Sequence, residues 1–166
     1  MDIYSLLKSE FKKIADGIMD EHIAVVSART LTPKEAIGTP DRDDYPLLKG
    51  KEVMVEAVFR DAKGHAFTDM PGRLEGTLRD IIELPLSNNF QRAVFIASLN
   101  AVMRALGLVE GSVHCRDKEP ASCARQLVET VKEKFGAPRI AFIGFQPAMI
   151  TRIGKEPESC SIMAGW

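Results

Sequence analysis

Three donor side chains stand almost together at His114, Cys115 and Asp117. Imidazole, thiolate and carboxylate all bind transition metals, and the first two suit zinc and the softer ions. The cluster therefore reads as a candidate metal site, with Cys123, His65 and Cys160 as further donors. No Cys-x-x-Cys and no second paired cluster accompany it, so the spacing alone favours an ordinary polar loop. Cys123 lies on an apolar helical stripe, where a cysteine behaves as a small core residue. His114 beside Cys115 is not a nucleophilic pair, because adjacent side chains point different ways on most backbones.

Gly144-Phe-Gln-Pro147 has the form of a strand passing through a turn into a helix. Helix N-terminal N–H groups bind phosphate, which makes Gly144 and Gln146 candidate cofactor contacts. A dinucleotide fingerprint needs three glycines, and Gly144 stands alone here; Pro147 removes one donor. Asp41, Asp43 and Asp44 offer carboxylates to a hard cation, but the calcium-loop glycine and closing glutamate are missing. A solvated loop with Arg42 in local ion pairs is the simpler reading. Asn88 and Asn100 lie twelve residues apart along one helix, and could meet a ligand if that segment lines a cleft. The plainer expectation is that Asn100, a buried amide needing partners, ties a neighbouring loop to the helix. No catalytic residue is assigned.

These candidates hang on a few elements. Asn88–Leu106 is apolar nearly all round, so it predicts a buried helix capped by Asn88 or Asn89. It is shorter than a membrane span of about 20 apolar residues, and Arg92, Asn100 and Arg104 interrupt it. Asp2 caps an expected first helix, 3–18, with Gly17 weakening its end. His22–Arg29 reads as a strand. Thr30–Gly50, broken by Pro33, Pro40 and Pro46, reads as a long loop with a helical turn at Pro33–Ile37. Lys51–Arg60 alternates as a strand, Asp61–Gly64 as a turn, and His65–Asp69 as the returning strand of a hairpin. Thr77 and Asp80 make a capping box for a helix ending at Pro85. Pro120 and Gly136 bracket a helix with Cys123, Leu127, Val128, Val131 and Phe135 as its apolar stripe. Arg139–Phe145 reads as a strand buried on both faces, and residues 147–153 as a short helix. The tail 154–166 has no periodicity and is expected to fray.

The composition is ordinary for a globular chain: 45% apolar, 27% charged, and a formal net charge of −1 over 166 residues. With no basic run, nucleic acid is not expected as a partner. No signal-peptide pattern opens the chain, and three cysteines suggest no disulfide framework, so the expectation is a cytoplasmic protein with reduced thiols, not bound to membrane.

Three stretches carry a resemblance: Gly76–Leu84 leading into Asn88–Ala93, then Ala97–Ala101, then Ile140–Pro147. Together they resemble the heavy-metal chelation family of domains of unknown function, over roughly residues 76–150. The resemblance implies an enolase-N-terminal-like α+β part followed by a Rossmann-like part, of which strand 139–145 would be the first strand and most of the rest would be absent. The expectation is thus an α+β fold, a small antiparallel sheet packed by helices. Residues 1–110 form the first domain, 111–153 the start of a Rossmann-like unit and 154–166 a disordered tail. The expected function is binding of a metal ion or small molecule in a cleft between two halves. Its rivals are a fragment of a small-molecule enzyme and a module that completes its sheet by homodimerisation, for which the unpaired strand 139–145 is the motive.

Overall fold

The alternation in Lys51–Arg60 does build a sheet. The structure, a computed structural model, describes residues 2–19, 25–142, 146–155 and 160–161. In chain order its elements are α1 (Ile3–Ile14), β1 (Val25–Leu31), α2 (Pro33–Ile37), α3 (Pro46–Lys49), β2 (Val53–Phe59), β3 (Ala62–Thr68), β4 (Arg73–Thr77), α4 (Leu78–Glu83), α5 (Asn89–Ala105), α6 (Glu119–Phe135), β5 (Ile140–Ala141), α7 (Pro147–Ile153) and β6 (Cys160–Ser161). They divide between two units, residues 1–36 with 51–114, and residues 37–50 with 115–166. The fold class is α+β, with an antiparallel sheet packed by helices. Among the described residues, no helix is long and apolar enough to cross a membrane.

In the first unit the sheet has four strands in the order β3-β2-β1-β4, every pair antiparallel. Val55, Ala57 and Phe59 of β2, with Val26 and Ala28 of β1, are fully buried in one apolar core. Val94, Phe95, Ala97, Ala101 and Val102 of α5 join them there. Leu78, Ile81 and Ile82 of α4 and Phe11 of α1 close the same core. Asp2 caps α1, accepting from the amides of Tyr4 and Ser5. α1 stops at Ile14, four residues earlier than its apolar spacing suggests; Gly17 has φ +83°, a left-handed turn that a helix does not contain. Lys8 donates from Nζ to the carbonyl of Leu84, tying α1 to the end of α4.

Two features of the sheet differ from expectation. The hairpin turn is tighter than Asp61–Gly64: β3 begins at Ala62, and Arg60 takes φ +53°. Gly64 is therefore inside a strand, where a glycine marks a close backbone approach. A Cβ there would lie 2.2 Å from the Ala97 carbonyl oxygen and 2.4 Å from the Ala101 amide nitrogen, so α5 crosses β3 directly on top of it. The fourth strand, β4, has no counterpart in the sequence reading. Its register against β1 runs from Val25↔Thr77 to Arg29↔Arg73.

α5 starts and stops where its residues dictate. The Asn88 side chain accepts from the Gln91 amide at 2.9 Å. At the other end Gly107, at φ +70°, closes a Schellman turn: its N–H reaches the Arg104 carbonyl, and the Leu108 N–H reaches that of Met103. α4 begins with the expected box. Thr77 Oγ1 accepts from the Asp80 amide at 3.2 Å, and Asp80 Oδ2 accepts from the Thr77 amide at 2.9 Å.

In the second unit α6 and α7 pack together, and β5 pairs in parallel with β6 across α7, a β-α-β arrangement. This corrects two expectations. Of the expected strand 139–145, β5 has a partner in its own chain and Ala141 is exposed, so β5 is not buried on both faces; residues 143–145 lie outside the described residues. In the tail 154–166, a parallel ladder gives Cys160 and Ser161 partners that side-chain periodicity cannot reveal; residues 156–159 and 162–166 lie outside the described residues. The apolar stripe of α6 also shifts. Pro120, Ala124 and Val128 are buried at spacing i, i+4, whereas Leu127 and Phe135 face solvent. The acidic loop pairs locally, with Arg42 to both oxygens of Asp44 at 2.9 and 2.6 Å and Lys49 to Asp43 at 2.6 Å.

Candidate functional site

The connection after α5 builds a charged concave site in the first unit. Gly107 turns the chain back, and residues 112–114 then run beside the outer edge of β3. The His65 amide donates to the Ser112 carbonyl at 3.0 Å, and Ser112 Oγ donates to the Lys63 carbonyl at 2.6 Å. The His114 amide donates to His65 Nδ1 at 2.9 Å. Asn100 of α5 adds a fourth tie, Nδ2 to the His65 carbonyl at 3.0 Å. The edge of β3 is thus paired rather than left open.

His65 is fixed by these bonds, and its chemistry follows. With Nδ1 accepting from a backbone N–H, the one proton of a neutral ring is assigned to Nε2. Nε2 lies 3.2 Å from Oε2 of Glu56, its cross-strand neighbour. Lys63 Nζ reaches the same oxygen at 3.2 Å. Arg29 is the neighbour of Glu56 on the other side, in β1, and pairs with Glu35 at 2.8 Å. Burial pushes the Glu56 carboxyl up, but the hydrogen bonds from His65 and Lys63 and the Lys63 charge outweigh it and hold the group below its ordinary 4.5. Glu56 and His65 resemble an acid–base dyad, yet both ring nitrogens are spent inside the fold. The pair is a clamp between β2, β3 and the 112–114 segment, not a base waiting for a proton.

That clamp has a pH signature. A carboxylate whose folded value is depressed contributes stability above its unfolded value, and loses it as pH falls through the folded value. Glu56→Gln is expected to cost about 1–2 kcal/mol at pH 7, the worth of hydrogen bonds to a charged group. Urea unfolding at pH 7 and at pH 3 should show the gap between wild type and variant shrinking below about pH 4.5. A gap independent of pH would mean that Glu56 is not ionised in the fold.

Next to the clamp is an open cavity of about 570 Å³, lined by Arg60, Asp61 and Lys63 of the hairpin, Arg104 and Ala105 of α5, and Gly111–Val113. Its lining includes the guanidinium residues Arg60 and Arg104, the carboxylate residue Asp61, and Lys63, whose ammonium is paired with Glu56. The Arg60 guanidinium stacks over the Phe59 ring at 5.2 Å from its centroid, which limits its motion. Arg104 is in the last turn of α5, where a cation also offsets the helix dipole. A second groove, of about 710 Å³, runs between β3 and α5, and carries Arg92 against Glu52 and Asp69. Its charges nearly cancel. Arg92 bonds Asn89 Oδ1 at 3.0 Å and lies over the Tyr4 ring; its buried Nε makes no hydrogen bond among the described residues.

The residues singled out from sequence fare differently. His114 belongs to the first unit, its ring edge-on to Phe67 at 5.5 Å. Cys115 and Asp117 belong to the second. The Asp117 carboxylate accepts from the Thr39 amide at 2.8 Å, and its own amide donates to the Ile37 carbonyl at 2.9 Å. Among the described residues no three His, Cys, Asp or Glu side chains gather as a ligand set. Each of His114, Cys115 and Asp117 is engaged with its own surroundings. Asn88 is used as a helix cap, and Asn100 binds a strand where a loop was expected. Gly144 lies outside the described residues. Gln146 is exposed ahead of α7, and its side chain makes no capping bond. The cationic cavity was missed from sequence, although Arg60 in the hairpin turn and Lys63 just after it were a visible signal.

Comparison with protein-family models, with curated proteins and with solved structures found no match. The functional reading rests on the site itself.

Proposed function

We propose that this chain binds a small anionic molecule, one bearing a phosphate or carboxylate group, in the cavity between the β2–β3 turn and the C-terminal end of α5. The observation that carries the proposal is the excess of guanidinium groups there, Arg60 and Arg104 against Asp61, with Lys63 beside them paired to Glu56. A concave site lined by one sign of charge focuses its field and concentrates counter-ions. Guanidinium groups match the geometry of carboxylate and phosphate oxygens with paired donors. Backbone ties from Ser112 and His114 hold the cavity wall in place before a ligand arrives, which lowers the ordering cost of binding.

Calorimetric titration with inorganic pyrophosphate at low ionic strength tests this. Arg104 is exposed, so Arg104→Glu is expected to leave the fold intact and weaken binding by about tenfold or more, since it turns an attraction into a repulsion worth upwards of 1.4 kcal/mol. Unchanged affinity in that variant would reject the site. The finer fold reading belongs to the same proposal. The antiparallel sheet covered by α5, followed by the β5–α7–β6 unit, supports an enolase-N-terminal-like part leading into a Rossmann-like one, and with it the family resemblance. Homodimerisation through an unpaired strand loses its motive, because β5 has a partner in its own chain.

A further inference from the structure

The second unit brings together two thiols that the anion site does not use. Cys115 Sγ and Cys123 Sγ are 3.0 Å apart, both cysteines are free, and both are partly buried. We infer that Cys115 and Cys123 form a dithiol that closes to an intramolecular disulfide when it meets a low-molecular-weight disulfide.

The local chain holds the two sulfurs for this. Cys123 is on the second turn of α6, a rigid helical position. Cys115 precedes that helix by a short segment tied at several points. The Arg116 amide donates to Glu119 Oε2 at 2.7 Å, and the Glu119 amide returns to the Arg116 carbonyl at 2.8 Å. Asp117 is fixed through its amide to Ile37 and through its carboxylate to Thr39. Gly38 admits that carboxylate, since a Cβ in its place would lie 2.3 Å from Asp117 Oδ1. The sulfurs are already in contact at 3.0 Å, so closure needs them to approach by only about 1 Å more to reach bonding distance.

The exchange balances without a further reactant. One cysteine thiolate attacks a sulfur of the small disulfide, whose S–S bond breaks; the departing thiolate takes a proton and leaves as a thiol. The second cysteine thiolate then attacks the protein sulfur of the mixed disulfide and expels the other half, again as a thiol. Two protein thiols lose two electrons, and one small disulfide becomes two thiols. Burial, with the contact to Cys123 and the charge of Glu119 added, pushes the Cys115 thiol up to about 11. The thiolate is scarce at neutral pH, so the reaction is slow rather than explosive.

The test is incubation of the full-length Cys160→Ser variant with oxidised glutathione, followed by alkylation of remaining thiols, intact mass and tryptic mapping. Trypsin cuts after Arg116 and Lys118, so a bond between the two cysteines appears as a two-peptide species. The expected result is the loss of two hydrogen atoms with no glutathione retained and Cys115 linked to Cys123. In a Cys160→Ser background, Cys115→Ser or Cys123→Ser should instead retain one glutathione, because the resolving sulfur is gone. Stable glutathione adducts on the chain with both cysteines present would overturn the inference. So would full alkylation of both thiols after exposure, which would leave them as packing residues only.

Discussion

Gly64→Ala should destabilise the first unit by about 3 kcal/mol, far more than one added methyl group suggests. The reason is the identity of the atoms it meets. The Ala97 carbonyl oxygen and the Ala101 amide nitrogen are backbone, 2.2 and 2.4 Å from the new Cβ, and cannot rotate aside. α5 must lift from β3 as a body. In doing so it gives up the Asn100 bond to the His65 carbonyl and opens voids around Ala97 and Ala101, both fully buried. Gly111→Ala is the control. It has open space around it and φ +60°, so it meets only the left-handed strain of about 1–2 kcal/mol. Urea unfolding of both variants separates the two causes. Equal losses would show that backbone approach at Gly64 is not what fixes the helix on the sheet.

Phe95→Ala should cost about 3–5 kcal/mol, the usual range for emptying a fully buried aromatic site. Phe95 is fully buried in α5 and meets Phe11 of α1 edge-on, with centroids 5.6 Å apart and planes at 68°. α1 is amphipathic and short, so its place depends on what its buried face finds. Removal of Phe95 takes away that contact and leaves a cavity under α1. A double-mutant cycle with Phe11→Ala should give a coupling of about 1 kcal/mol. A coupling near zero would mean that α1 is held by Lys8 and its other contacts rather than by the ring pair.

Local signals were legible in the sequence where one short stretch carries the whole cause. Asn88 caps α5, and Thr77 with Asp80 caps α4, because a cap needs only residues three apart. The alternation of β2 and its return in β3 were equally plain. β4 was not, because Arg73-Leu-Glu-Gly-Thr77 has two charges, a glycine and one partly buried leucine. It is a strand because β1 offers it a ladder, and that is tertiary context. Gly64 was read as a turn residue, since Asp61, Lys63 and Gly64 all favour turns. The close approach of α5 that it serves is set by residues far along the chain.

The candidate site was harder for the same reason. Adjacent donors at 114–117 suggested metal, but the chain sends His114 to His65 and Phe67, and Asp117 to Thr39. Nearness in sequence did not make a ligand set. Arg104 and the Arg60–Lys63 turn meet only because α5 lies across β3 and ends beside the hairpin. The Cys115–Cys123 contact needs both the start of α6 and the tie at Asp117, neither of which has a periodic signature.

The central claim is that the cationic cavity is the ligand site of this chain. Backbone amide resonances followed during a pyrophosphate titration test it most directly. The account predicts saturable shifts concentrated at residues 60–63, 104–105 and 111–113, lost in Arg104→Glu and weakened as salt screens the charges. Shifts centred instead on the Arg92 groove, or none that saturate, would contradict it.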